Sequence, residues 1–556
     1  MRARLNALAR ALTLGVVLAG VGTAAFLHLY SQRFGVLVSD DAVDCAQIGL
    51  HAVHYHKLAT DVFYPLAMVS GDTHGADIRQ GPLYPLILAG LFLARGVSDN
   101  TVALCNGFLH LLTAWALFAL LKLLYDRRIA ILGVLAYLIS MEAVGQALTA
   151  TPVTTAGLFI TLGVLTAARM VAADTTGTRE EAGPLTALRR LGAAPMVWSA
   201  GLGVAAGLAY LTGAVASYAL LGAGLVAVLA LSGPHRWKAL GVFLACGLIV
   251  AAPWFARNVR ALGTPLPPLR QAALLMHTKA FPGYSVLWAV DQVPSALVFA
   301  LAHPGQMALK FINGLTVLYR QIPQVINIYL FPLVLWGGFL ATKRSPEERV
   351  VWRMLGVLLV LQAVALCLTD FAEEALRIVT AVATGLAVAT LLGLARERLV
   401  RRPLIWAASA AIMLVLIFPY AASVGLGPRS ADPATVNPGV IRSLSTQVRD
   451  LRVASDRPWH VAWYGECPAL LLPNDVKDLE LLGARFPVFS TIHVIYLSRQ
   501  RAAMGGRDSW VRAMRGDRDA AATVMARWPG IMPMQGDEFI LMRSELRGLV
   551  RERTPG

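Results

Sequence analysis

Residues 239–263 read ALGVFLACGLIVAAPWFARNVRALG. From Ala239 to Trp254 the run carries no charge, and it comes close to the roughly 20 apolar residues of a membrane-spanning helix. It then turns through Pro253-Trp254 into Arg257 and Arg260, which share one helical face. An apolar span ending in two arginines is a pattern of a membrane protein, and the rest of the chain repeats the span.

Ten further segments resemble it: 11–30, 101–121, 129–145, 152–172, 196–211, 213–231, 326–341, 352–368, 376–394 and 404–422. The 556 residues are 56% hydrophobic and 15% charged. A soluble chain carries roughly 25% charged residues, so a soluble cytosolic enzyme and a disordered chain are both excluded. The expected fold is a polytopic α-helical membrane protein with about eleven crossings (residues 1–422). A small C-terminal α/β domain (423–556) follows it.

The net charge of +16 resolves by position. Lys and Arg crowd alternate linkers: Arg2, Arg4 and Arg10; Lys122, Arg127 and Arg128; Arg179, Arg189 and Arg190; Arg236 and Lys238; Lys343, Arg344, Arg349 and Arg353; Arg396, Arg398, Arg401 and Arg402. The short linkers near 146–151, 212 and 369–375 contain none. Positive residues favour the cytoplasmic side. This predicts a multi-pass protein of the cytoplasmic (inner) membrane, its N-terminus inside and its C-terminal domain outside. The charge is then topology, not a nucleic-acid footprint. Residues 82–94 are too short to cross and read as a re-entrant or interfacial element. The run 11–27 continues through Phe26 and Leu27, which favours a retained crossing over a cleaved signal.

Three outer segments are long: 31–100, 255–325 and 423–556. The first opens on Ser39-Asp40-Asp41, and Val43, Ala46, Leu50 and Val53 then recur at helical spacing. This predicts an amphipathic helix along the membrane surface, with juxtamembrane neighbours. Asp40 and Asp44 lie one turn apart on one face. Ser39 or Asp40 suits an N-cap, and an acid held at the membrane edge also suits a general base; the two are compatible. Arg79 stands just before Pro82-Leu83-Tyr84-Pro85, where prolines stiffen the entry; Tyr84 is a pocket candidate. Arg257 and Arg260 fit a phosphate or lipid headgroups. Glu373, Glu374 and Arg377 form another outer cluster, either an internal ion pair or part of a site.

No metal or other cofactor is called for. His51, His54 and His56 lack a completing ligand pattern, and Cys45, Cys105, Cys246, Cys367 and Cys467 are scattered without a CxxC pair. In the tail, 460–464, 492–497 and 538–542 read as strands. Residues 439–453, 476–484 and 508–527 read as helices. The tail has neither a Gly-rich phosphate loop nor a nucleophile elbow, which makes it an accessory domain.

Taken together, these residues resemble the C-type (GT-C) integral membrane glycosyltransferases. The likeness is to the bacterial branch of the dolichyl-phosphate-mannose protein mannosyltransferase and aminoarabinose transferase superfamily. The markers are Asp40-Asp41 opening the first outer loop, Pro82 to Pro85, and Pro253-Trp254 with Arg257-Asn258 and Gly263. The run Pro458 to Gly465 is similar to the outer domain of some bacterial members. The resemblance implies transfer of a sugar from a polyprenyl-phosphate-linked donor to a lipid, polysaccharide or protein acceptor outside the membrane, with inversion. It implies that Asp40 is the general base, that Asp41 stands where a Glu is frequent, and that Arg257 and Asn258 lie near the donor phosphate. Arg79, Arg260 and Arg377 join them as candidate phosphate contacts, and Asp44, Tyr84, Glu373 and Glu374 as pocket candidates. Gln80-Gly81-Pro82-Leu83 and Arg377-Ile378 depart from the aminoarabinose and protein-mannosyl patterns, so neither subfamily is assigned. A transporter or flippase of lipid-linked sugar, or a non-catalytic envelope assembly protein, is the alternative. Against it, the chain shows no clear internal repeat and its charges gather at helix ends.

Overall fold

The structure is a computed structural model. It describes residues 2–72, 74–177, 193–233, 235–325, 327, 329–341, 344–369, 375–398, 407, 410–411, 414–418, 438–447, 450–497, 509–533 and 539–543.

Among the described residues, seven helices are long and apolar enough to cross a membrane: Thr13–Arg33, Asp99–Leu124, Val153–Thr175, Pro195–Thr212, His235–Leu262, Pro346–Leu368 and Leu376–Leu394. The segment expected at 129–145 forms the pair Arg127–Leu138 and Met141–Leu148, bent by 50°. Ile139 ends the first helix, and Ser140 caps the next by accepting from the Ala143 N–H at 3.2 Å. Counting that pair, up to eight crossings pass on length and composition among the described residues; eleven are expected over the whole chain. The segments at 213–231 and 326–341 fold as the shorter helices Ala214–Leu229 and Phe331–Leu340. The last, 404–422, lies mostly outside the described residues. Residues 82–94 form the short helix Leu83–Arg95.

Linkers grouped by charge meet one another at one end of the bundle. Thr175 donates to Glu347 at 3.1 Å, Ser232 to Asp174 at 2.6 Å, and Arg344 to Tyr125 at 3.2 Å. The linkers near 150 and 211 instead meet residues 81–84. There the Tyr84 hydroxyl donates to the Ala150 carbonyl at 2.8 Å. Gly81 lies so close to the Leu211 carbonyl that a Cβ would overlap it, so only glycine fits.

The tail and the first loop build one sheet in the order β1-β3-β2-β4-β6-β5. Its strands are β1 Val62–Phe63, β2 Val453–Ser455, β3 Ala469–Leu471, β4 Val494–Leu497, β5 Gly530–Pro533 and β6 Phe539–Met542. The first four in that order run parallel; β6 pairs antiparallel with β4, and β5 antiparallel with β6. The edge strand β1 belongs to the first long loop, not to the tail. One hydrophobic core joins Val43, Tyr84 and Val102 to Trp459, Val461, Trp463 and Tyr496.

The strands expected around 492–497 and 538–542 are present. The strand expected at 460–464 is corrected: Pro458–Gly465 is a helix with all eight residues buried. Pro458 sits at its first turn, where a missing N–H costs nothing, and burial on every side erases the periodicity that separates helix from strand. The helix expected over 508–527 breaks into Ser509–Met514 and Arg518–Met525. Gly516 turns the chain at φ 91°, and Asp517 caps the second piece by accepting from the Ala520 N–H at 3.2 Å.

Candidate active site

The Asp40–Tyr55 helix begins after Ser39, which is extended and makes no side-chain cap bond. Asp40 and Asp41 fill its first turn, where the helix dipole favours acids. The helix packs on Leu83–Arg95 and on the tail helix Pro458–Gly465. That packing brings three chain regions together.

Arg457 donates from Nη1 to Asp40 Oδ1 at 2.8 Å. His460 Nδ1 stands 3.4 Å from the same oxygen. Burial pushes the His460 imidazole below its ordinary range; Asp40 opposes this and Arg457 adds to it, so a neutral ring faces the acid at pH 7. Asp41 pairs with Arg79. The Arg79 guanidinium lies 6.0 Å from the centre of the Trp459 ring, whose Nε1–H donates to the Tyr64 hydroxyl at 2.8 Å. The side chains of Asp40 and Asp41 keep 30% and 34% of their surface exposed, and Arg79 24%. The acids are therefore held and still reachable.

Asp44 lies one turn deeper and is buried. Thr60 Oγ1 is 3.3 Å from its Oδ1 and 2.7 Å from Gln47 Oε1. Burial raises the Asp44 carboxyl to about 7, with Arg79 opposing and Asp41 reinforcing. Gln47 Oε1 also accepts the Asp61 N–H at 3.2 Å, and Asp61 meets His51 Nε2 at 2.9 Å.

Arg257 and Asn258 work on the loop behind Arg79. Arg257 donates to the Leu58 carbonyl at 2.5 Å and the Ala76 carbonyl at 2.7 Å, and stacks on Trp254 at 4.9 Å. Asn258 is fully buried and donates to the Pro265 carbonyl at 3.2 Å. Next to them, buried Asp77 accepts the Leu269 N–H at 3.1 Å, and Arg270 Nε reaches the Arg79 carbonyl at 3.4 Å. Burial raises the Asp77 carboxyl to about 7.

The structure thus brings Asp40, Asp41, Asp44 and Arg79 together. Arg257 and Asn258 are engaged with backbone. Arg260 is exposed on the outer face of its helix. The Tyr84 hydroxyl is taken by Ala150. Arg377 is half-buried in the 3₁₀ turn Ala375–Val379, which packs on Val153–Gly177. Glu373 and Glu374 lie outside the described residues. Among the described residues, no group of three or more His, Cys, Asp or Glu is placed to hold a metal.

Arg457, Trp459 and His460 were not singled out as site residues. Assigned to a strand, the run around His460 gave no reason to face the first loop. Its helix signal was Arg457-Pro458, a proline ready for a first turn.

No protein-family model matches the sequence, and no curated protein matches it. Solved structures do. ArnT from Cupriavidus metallidurans in the apo state superposes with a TM-score of 0.54 at 13% identity, over 96% of this chain and 98% of that one. The archaeal oligosaccharyltransferase AglB from Archaeoglobus fulgidus, solved with an inhibitory peptide and a dolichol-phosphate, gives 0.52 at 12% identity, over 96% and 74%. The Archaeoglobus fulgidus oligosaccharyltransferase complex with Zn and sulfate gives 0.51 at 12%, over 86% and 67%. The chain shares their fold.

Proposed function

We propose, from the premise that this chain has the fold of the C-type membrane glycosyltransferases, that it is a transferase. It moves a hexosyl- or pentosyl-type sugar from a polyprenyl-phosphate donor to a lipid, glycan or protein acceptor. The observation that carries this reading is the pair Asp40 and Asp41, each bonded to an arginine and each partly exposed, at one end of a membrane bundle.

Asp40 takes the proton of the acceptor hydroxyl as its oxygen attacks the anomeric carbon. The bond from that carbon to the phosphate oxygen breaks, and its electron pair leaves with the polyprenyl phosphate. Attack opposite the leaving group inverts the sugar. The phosphate gains charge as it departs, and Arg79 stands where that charge is stabilised. Arg257 and Asn258 support the reaction by fixing the loop that carries Arg79. A donor dissolved in the bilayer needs no nucleotide cleft, in keeping with a long chain that carries no nucleotide motif. AglB, of the same fold, was solved with a dolichol-phosphate. We place the site on the outer face of the cytoplasmic membrane, which follows from the basic linkers at the opposite end.

The test is Asp40→Asn in the purified full chain, supplied with polyprenyl-phosphate sugars. A general base contributes roughly 10²–10⁴-fold, so transfer is expected to fall by that factor while polyprenyl phosphate binding is not weakened. Undiminished transfer removes Asp40 as the base.

A further inference from the structure

The tail reaches the reacting acids directly. Arg457 is bonded to Asp40, Trp459 carries the Arg79 guanidinium on its ring, and His460 faces Asp40. The tail is not tethered loosely. β1 of the first loop pairs with β3 of the tail, Trp459 is bonded to Tyr64, and Trp463 and Tyr464 are bonded to Asp99 at 2.8 Å each. Arg457 is therefore placed by a rigid frame.

Two arginines from distant parts of the chain, Arg79 and Arg457, thus stand on two adjacent carboxylates. The Asp40 side chain is 30% exposed and that of Arg457 14%, so the pair is open to an incoming anion from the side of Asp40. A guanidinium fits a phosphate at least as well as a carboxylate, through parallel N–H bonds. A departing polyprenyl phosphate carries more negative charge than the donor it came from, so two cations suit it better than one.

We propose, resting on the glycosyltransferase reading above, that Arg457 is a phosphate-binding residue supplied by the tail. It is shared between Asp40 and the phosphate of the lipid donor, so that phosphate binding draws Arg457 away and opens Asp40 Oδ1 to the acceptor hydroxyl. The tail then belongs to the active site and is more than an accessory domain.

The experiment is binding of a polyprenyl phosphate to the full chain in nanodiscs, with the uncharged polyprenol as control. Arg457→Gln is expected to weaken phosphate binding roughly tenfold or more, the scale of a hydrogen bond to a charged group, and to leave polyprenol binding unchanged. Arg457→Lys is expected to fall in between, and it serves in place of the glutamine variant should that fail to fold. Asp40→Asn removes the competitor for Arg457 and is expected to tighten phosphate binding roughly two- to fivefold. That gain is expected to vanish in the double variant with Arg457→Gln. Unchanged phosphate affinity in Arg457→Gln, or a gain from Asp40→Asn that persists without Arg457, overturns the proposal. Transfer is scored separately. Loss of transfer in Asp40→Asn with no effect of Arg457 on binding sinks this inference and leaves the glycosyltransferase reading. Coupled binding in a chain that transfers no sugar does the reverse.

Discussion

The indole N–H of Trp463 donates to Asp99 Oδ1 at 2.8 Å, joining the tail to the first residue of the Asp99–Leu124 membrane helix. The Tyr464 hydroxyl donates to the other oxygen at 2.8 Å, and the Leu37 N–H approaches it at 3.4 Å. Both tail side chains are buried. One carboxylate thus satisfies two buried donors and ties the sheet to the bundle.

Asp99→Ala leaves those two donors unpaired. A buried unpaired donor costs about 1–3 kcal/mol, so the variant is expected to lose several kcal/mol at the tail junction. Thermal unfolding and proteolytic nicking of the tail check this. Asp99→Asn keeps an acceptor and is expected to lose less. A wild-type melting curve for Asp99→Ala would show that the tail is held elsewhere.

Asp44 predicts a pH dependence. Its carboxyl is at about 7 in the folded chain against an ordinary 3.8. The folded state therefore holds the proton more tightly than the unfolded one. The stabilising contribution is full below about pH 4 and is lost as pH rises through about 7. Asp44→Asn keeps the neutral shape and removes the ionisation. It is expected to match wild type near pH 4 and to be more stable by on the order of 2–4 kcal/mol near pH 8. Equal melting temperatures for the two proteins at pH 8 would contradict a buried Asp44.

Arg257 bridges the Leu58 and Ala76 carbonyls, which a lysine cannot do with a single ammonium. Arg257→Lys is expected to lower the melting temperature, with a stability loss of about 1–3 kcal/mol. A variant that melts normally and binds polyprenyl phosphate more weakly would instead place Arg257 on the ligand.

The membrane part was legible because its signals are local. A spanning segment must satisfy its own backbone and be apolar along its length, so the helices announce themselves in composition. The crossing count was less legible. The bend after Leu138 and the short helices Ala214–Leu229 and Phe331–Leu340 depend on packing that apolar runs do not record. Asp40, Asp41, Asp44 and Arg79 were legible as candidates, since acids at a helix start and an arginine before a rigid turn are short-range patterns.

By itself, the sequence determined that this is a helical membrane protein with an α/β tail and a helix in its first long loop that opens on two acids. Those features depend on residues within a turn or two of each other. Tertiary structure alone decided which charges meet. Arg457 and Asp40 are 417 residues apart along the chain, and β1 joins a sheet whose other strands begin at Val453. No local periodicity carries such contacts. They follow from closing one hydrophobic core between the first loop and the tail, and that closure sets Arg457 on Asp40.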